Sequence, residues 1–338
     1  MATTVMNPED GERTASRSII HRLLEHLPPP ASIGPAVALA VTCAFFATQS
    51  PRFLDGRNFS LILQQVLEVG VIGIGQTLVI LTSGIDLACG LVMAFGSIVM
   101  TKFAVNLGLN SYLAIACGLL VCAGFGYLNG ALVTFVKLPP FIVTLGTLNI
   151  AYALTQIYSK SQTVSGLTNT LLYFGNTFRI GRTDVTYGTV LMLVLYLMTW
   201  LVLRDTAVGR HIYAIGNNPE ATRLMGIPTQ GLLRRVYTLA GLFYGIAGLL
   251  LVARTGVGDP QAGQTDNLDS ITAVVLGGTS LFGGRGSLLG TLVGALIVGV
   301  IRNGLTLMGV SSVYQILITG ILVILAVMTD QLSRRNKG

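Results

Sequence analysis

The sequence predicts an all-α polytopic membrane protein of about ten transmembrane helices with both termini cytoplasmic. Three observations carry that expectation. Of the 338 residues 52% are hydrophobic and only 10% are charged, against about 25% charged in a typical soluble domain. The apolar residues fall in long runs, and the basic residues between those runs sort to one side.

The chain opens with a leader over residues 1–31 that carries Arg13, Arg17 and Arg22 but also Glu9, Asp10, Glu12 and Glu25. Ala44-Phe45-Phe46-Ala47 resembles a cleavage pattern, yet a secretory signal has a short positive stretch directly before its apolar core. A cytoplasmic tail leading into a first span is therefore expected. Nine runs near or above the roughly 18-residue spanning length follow, at 33–48, 61–82, 87–105, 112–136, 141–158, 187–203, 236–253, 288–310 and 313–329. A tenth, 271–282, is shorter and holds Gly277-Gly278, so a full span and a broken or re-entrant passage both fit it. If it crosses, the leader, Lys137, the loop 204–235 with its five arginines, Arg285 and the basic tail 331–338 share one side. That side then holds 13 of the 21 Lys and Arg, which makes it cytoplasmic. The membrane domain is expected over 32–330.

Polar residues inside spans must face protein or water, because an ionised group at mid-bilayer costs about 2.5–3.5 kcal/mol on insertion scales. On the second span Gln65, Glu68 and Gln76 fall within an arc of about 80° at 100° per residue and form one stripe. The fifth span carries one stripe of Thr144, Thr147 and Thr155 and another of Asn149, Tyr152 and Gln156. The ninth carries Arg302-Asn303. Two readings are open for these groups, a polar translocation route and interhelical hydrogen bonds. Glycine, 41 residues in all, recurs as the pairs Gly126/Gly130, Gly241/Gly245 and Gly290/Gly294, which predicts close helix crossings. Cys43, Cys89, Cys117 and Cys122 lie in apolar segments at spacings of neither a zinc site nor a disulfide framework.

Within the charged loop, Asn218 suits an N-cap, Pro219 the first helical position and Glu220 the positive end of the helix dipole. Gly226 and Pro228 end the helix after about two turns. A helix that short needs a surface to pack on, either the rest of this chain or a soluble partner at the membrane face.

Several chemistries have no support. No Walker A pattern occurs, and Gly277-Gly278-Thr279-Ser280-Leu281-Phe282-Gly283-Gly284-Arg285-Gly286 lacks its lysine. His21, His26 and His211 form no zinc pair, so no metal site and no catalytic residue is expected. The net charge of +7 is spread over loops as a topology signal, which leaves nucleic-acid binding without a footprint.

Ser83-Gly84-Ile85-Asp86-Leu87, Leu138-Pro139-Pro140-Phe141-Ile142-Val143-Thr144-Leu145-Gly146, the stretch 209–227, and 271–290 followed by Arg302-Asn303-Gly304 together resemble the permease subunits of bacterial ATP-binding-cassette sugar importers of the ribose, xylose and galactoside type. The resemblance covers roughly residues 50–330. It implies a type II importer architecture in the bacterial inner membrane, working as a homodimer or with a similar permease. It further implies a periplasmic sugar-binding protein as donor and a cytoplasmic ATPase that holds the ATP and Mg, with no cofactor on this chain. Glu220-Ala221-Thr222 followed by Gly226 is similar to the coupling motif of such importers, with Thr222 where a second alanine is common; Asn218 to Gly226 is the implied ATPase contact. Asp86 matches the acidic residue of the family's Ser-Gly-Gly-Ile-Asp-Leu segment, here with one glycine. The implied path runs along Gln65, Glu68, Gln76, Asp86, Thr144, Thr147, Asn149 and Asn303. Permeases for branched-chain amino acids or nucleosides share the architecture, and an ion-coupled secondary transporter using Glu68 and Asp86 is the rival from another class.

Overall fold

A computed structural model describes residues 30–335. The expected tail at 1–31 therefore lies almost wholly outside the described residues, whereas residues 331–335 of the expected tail at 331–338 continue the last helix and only 336–338 lie outside. The fold is mostly helical. In chain order it runs α1 (Pro30–Gln49), α2 (Gly56–Leu81), α3 (Cys89–Val105), α4 (Ser111–Phe135), α5 (Pro140–Ser159) and the short α6 (Asn169–Leu172). A β-hairpin follows, β1 (Thr177–Ile180) and β2 (Thr183–Thr186), paired with Thr177 opposite Thr186. Then come α7 (Tyr187–Asp205), α8 (Ala207–Asn217), α9 (Pro219–Leu224), α10 (Thr229–Thr255), α11 (Asp266–Leu276), α12 (Leu288–Leu307) and α13 (Ser312–Arg335).

All nine long apolar runs are helical. Among the described residues six helices, α2, α4, α5, α7, α10 and α12, are long and apolar enough to cross a membrane. Three further apolar stretches, Gly34–Gln49, Cys89–Val105 and Ser312–Met328, are shorter. The tenth run, 271–282, is helical only to Leu276, and its helix starts earlier, at Asp266. Eleven residues at 1.5 Å each reach about 16 Å, half of a hydrocarbon core. Gly277 and Gly278 then turn the chain into a non-helical passage that lasts to Ser287.

The core is built around α2 and α10, the most deeply buried of the long helices. α10 packs on α2, α3 and α4, while α12 packs on α2 and α11. Glycine sets these distances, as the sequence predicts. A Cβ on Gly126 would collide with the Tyr237 carbonyl and one on Gly241 with the Cys122 carbonyl, so α4 and α10 cross backbone to backbone. Gly290 and Gly294 bring α12 equally close to Ala273 of α11 and to Gly277 just past its end. Lipid tails are as apolar as these side chains, so contact area and van der Waals fit, not expulsion of water, hold such crossings together.

The two ends of the bundle are distinct. At one, the Leu81 carbonyl accepts from Gly284 N at 3.0 Å, and Ser83 Oγ donates to Gly216 O (3.1 Å) and Phe282 O (2.8 Å). This end gathers α8, α9 and the loop 277–287. At the other, the hairpin is tied to α2 by Asp184 N donating to Ser60 Oγ (2.7 Å), and Val164 pairs with Gly258 just past α10.

Candidate functional site

At the end that carries α8 and α9, the local chemistry follows the sequence closely. Asn218 Oδ1 accepts from Ala221 N at 2.9 Å, Pro219 opens α9, and Gly226 takes φ +82°, a conformation that suits a residue without Cβ. Thr222, at the position where an alanine is common, is buried and its Oγ1 donates to Asn218 O at 2.7 Å, so the hydroxyl is satisfied inside the helix. Glu220 pairs with Arg223 at 3.3 Å, and Leu224 and Met225 stand 77% and 79% exposed. A six-residue helix that presents an apolar side chain at its end and another at its cap to solvent offers a docking face.

One feature of this end exceeds the expectation. α9 is preceded by an eleven-residue helix, α8, capped by Thr206 Oγ1 accepting from Gly209 N at 3.3 Å. α8 buries Ile212 and Ile215 and includes His211. Its last turn meets the core, where a Cβ on Gly216 would collide with the carbonyl of Leu81. Tyr213 donates from its hydroxyl to Gly286 O at 3.1 Å, and burial pushes that phenol up, which keeps it a neutral donor. Ser83 holds a left-handed φ of +63° without being glycine, pinned by its two hydrogen bonds. Thus α8, the 83–88 segment and the 277–287 loop meet in one junction, and α9 follows directly on from α8.

Deeper in, the 83–88 segment runs without helix between α2 and α3. Gln76 Nε2 donates to Asp86 O at 2.7 Å, Tyr244 OH donates to Asp86 Oδ2 at 3.2 Å, and Ala88 N donates to Asp86 Oδ1 at 2.9 Å. Thr144 Oγ1 donates to Ile85 O at 3.1 Å. Gln76, Asp86 and Thr144 are all buried in this knot.

Toward the hairpin end lies a cavity of about 350 Å³ between α2, α10, α11, α12 and α13. Glu68 receives a bidentate pair from Arg254, Nε to Oε1 at 2.7 Å and Nη2 to Oε2 at 3.0 Å. Arg302 Nη2 lies 2.5 Å from Asp269 Oδ2 and donates to Thr265 Oγ1 at 3.2 Å. Both guanidinium side chains remain about one-third exposed, at 30% and 32%. Among the described residues the buried Gln65 Oε1 finds no hydrogen-bond partner, and Asp269 Oδ1 is likewise unmatched. Such a wall of acceptors and planar donors suits a polyhydroxylated or zwitterionic guest.

The expected path residues therefore separate. Gln65 and Glu68 face the cavity, but Gln76 does not share it: the stripe is cut by the 83–88 segment, which claims Gln76 for Asp86. Thr147 is buried with its hydroxyl donating to Val143 O at 3.2 Å. Asn149 lies on an exposed face of α5, donating to Leu145 O. Asn303 turns away from the cavity and donates to Asn58 Oδ1 at 2.9 Å, tying α12 to the first turn of α2. Arg254, in the last turn of α10, folds back onto Glu68. Asp269 and Gln315, which line the cavity, were absent from the expectation. The signal for Asp269 was its i, i+3 partnership with Asp266 at the head of an apolar segment, the natural counter-charge for Arg302.

A polar, charge-paired cavity enclosed by apolar helices defines a multi-pass membrane protein with a place for a hydrophilic guest. Over residues 58–327 the chain matches the family described as branched-chain amino acid transport system / permease component, and it belongs to that family. It is 46% identical to the fructose import permease protein of Rhizobium meliloti, over 90% of this chain and 86% of that one. It is 38% identical to the ribose import permease protein of Bacillus subtilis strain 168 (88% and 92% covered) and 34% to the D-allose transport system permease protein of Escherichia coli K12 (87% and 90%).

Proposed function

We propose that this chain is the membrane-spanning permease subunit of an ATP-binding-cassette importer that carries a sugar across the bacterial inner membrane. The observation that carries the reading is near-full-length similarity to permeases named for fructose, ribose and allose. These names favour a sugar over the amino acid in the family's description. The cavity agrees, since carboxylates, amides and guanidinium groups are the partners that sugar hydroxyls take.

In this reading the bundle crosses ten times, α11 with the 277–287 loop making one broken crossing, and both termini are cytoplasmic. The cavity then lies on the periplasmic side, where a sugar-binding protein delivers substrate. The Asp86 knot closes it from below, and α9 docks on a separate ATPase that holds ATP and Mg; a second permease copy completes the pair. The chain itself carries no catalytic or cofactor site. Closure of the ATPases moves α9 and α8 as one body, and the junction at Ser83, Gly216 and Gly284 passes that motion to the two non-helical segments beneath the cavity. An ion-coupled carrier would need an ionisable group free to bind its ion, whereas Glu68 and Asp86 are both engaged. Co-expression with the cognate ATPase tests the coupling role: Glu220→Lys is expected to lower ATPase co-purification and uptake with membrane insertion intact. Normal uptake by that variant would remove α9 from the mechanism.

A further inference from the structure

Two grooves flank one exposed ridge of α10. The first, about 430 Å³, lies between α4 and α10 and includes Ala123, Tyr127, Gly231, Arg234 and Thr238. The second, about 390 Å³, lies between α7, α8 and α10 and is walled by aliphatic side chains such as Leu195, Val202 and Ile246. Both share Arg235, Leu239 and Leu242. Arg234 stacks over Phe135 at 4.3 Å, and neither arginine forms an ion pair with an acid among the described residues. They stand five and six residues inside the helix, about 8–9 Å from its start, the depth of a headgroup beside acyl chains.

We infer that this ridge binds an anionic phospholipid, its phosphodiester held by Arg234 and Arg235 and its two acyl chains laid in the two grooves. Paired arginines match phosphate oxygens in planar geometry, and basic pockets between helices at a membrane face take acidic headgroups. Tyr127, half exposed at the rim, has the amphipathic form of a residue seated at the lipid–water boundary. A second copy of this chain fits less well: among the described residues the exposed carboxylates at this end, Asp205 and Glu220, are already paired with Arg204 and Arg223. The inference needs only that the chain is a membrane permease and stands apart from the identity of its substrate.

Native mass spectrometry of the full-length permease with added phosphatidylglycerol or phosphatidylcholine tests it. Wild type is expected to retain phosphatidylglycerol about tenfold better, and Arg234→Gln/Arg235→Gln to lose that preference. Gly231→Leu, at a position with open space around it, fills the first groove with both charges kept and should also reduce retention. Inorganic phosphate at millimolar concentration should not displace the lipid; displacement would assign the site to free phosphate and overturn the lipid. A photo-reactive benzoylphenylalanine at Leu239 in native membranes should yield a lipid-mass adduct. Equal retention of the two lipids by wild type, or a protein adduct at Leu239, overturns the proposal.

Discussion

Glu68 and Arg254 show what a single pair of side chains contributes to the cavity. Both oxygens of the carboxylate are held, and removing one partner of a buried pair costs about 3–5 kcal/mol because the other charge is left unmatched. Arg254→Met is therefore expected to lower the thermal unfolding temperature of the purified permease and to abolish uptake. The double variant Glu68→Gln/Arg254→Met should recover most of the stability and none of the transport; full uptake by the double variant would reduce the pair to packing. The sequence made Glu68 legible as a group that must face protein or water. Its partner was not legible, since 186 residues separate the two and Arg254 reads as an ordinary charge at the end of a span. Asn303 failed in the opposite direction. It looked available for a path, and only the register of α12 on α2 revealed Asn58 as its mate.

At the scale of elements, α8 packs its face on the core through Gly216, and α9, joined to it at Asn218, exposes Leu224 and Met225 on the other side. Asn218→Ala should cost about 1 kcal/mol of local helix stability through the lost cap and weaken ATPase association several-fold, measured by co-purification. Gly216→Val acts on the other face, where any Cβ meets the Leu81 carbonyl and the Gly284 amide. The expected result is an assembled complex whose ATP hydrolysis continues while uptake falls, read from both rates on one preparation. Uptake in proportion to hydrolysis would show that α8 transmits nothing. The caps of α9 could be read residue by residue because capping is local. α8 was hidden by its own composition: Arg210 and His211 interrupt the apolar positions Ile212 and Ile215, and only the core beneath makes Gly209 and Gly216 meaningful.

For the whole molecule, composition and run length gave the helical membrane class, and the glycine pairs gave two of its tightest crossings. What pattern alone left open was the passage at 271–282, because periodicity does not report where a chain stops being helical inside a bundle. Single cysteines in a background without Cys43, Cys89, Cys117 and Cys122 test the sidedness of the proposed arrangement. Arg182→Cys in the hairpin should react with an impermeant maleimide in intact cells, and Arg223→Cys only after permeabilisation. Labelling of both in intact cells would refute it.

The 83–88 segment and the 277–287 loop lie side by side below the cavity, joined by Ser83 to Phe282 and Leu81 to Gly284. Neither carries a helical ladder, so shifting one against the other exchanges a handful of hydrogen bonds, each worth about 0.5–1.5 kcal/mol. Sliding α4 along α10 would instead drive the Gly126 and Gly241 backbones into their neighbours. The bundle thus has a stiff spine and one soft seam, and its cross-section is cheapest to change along that seam.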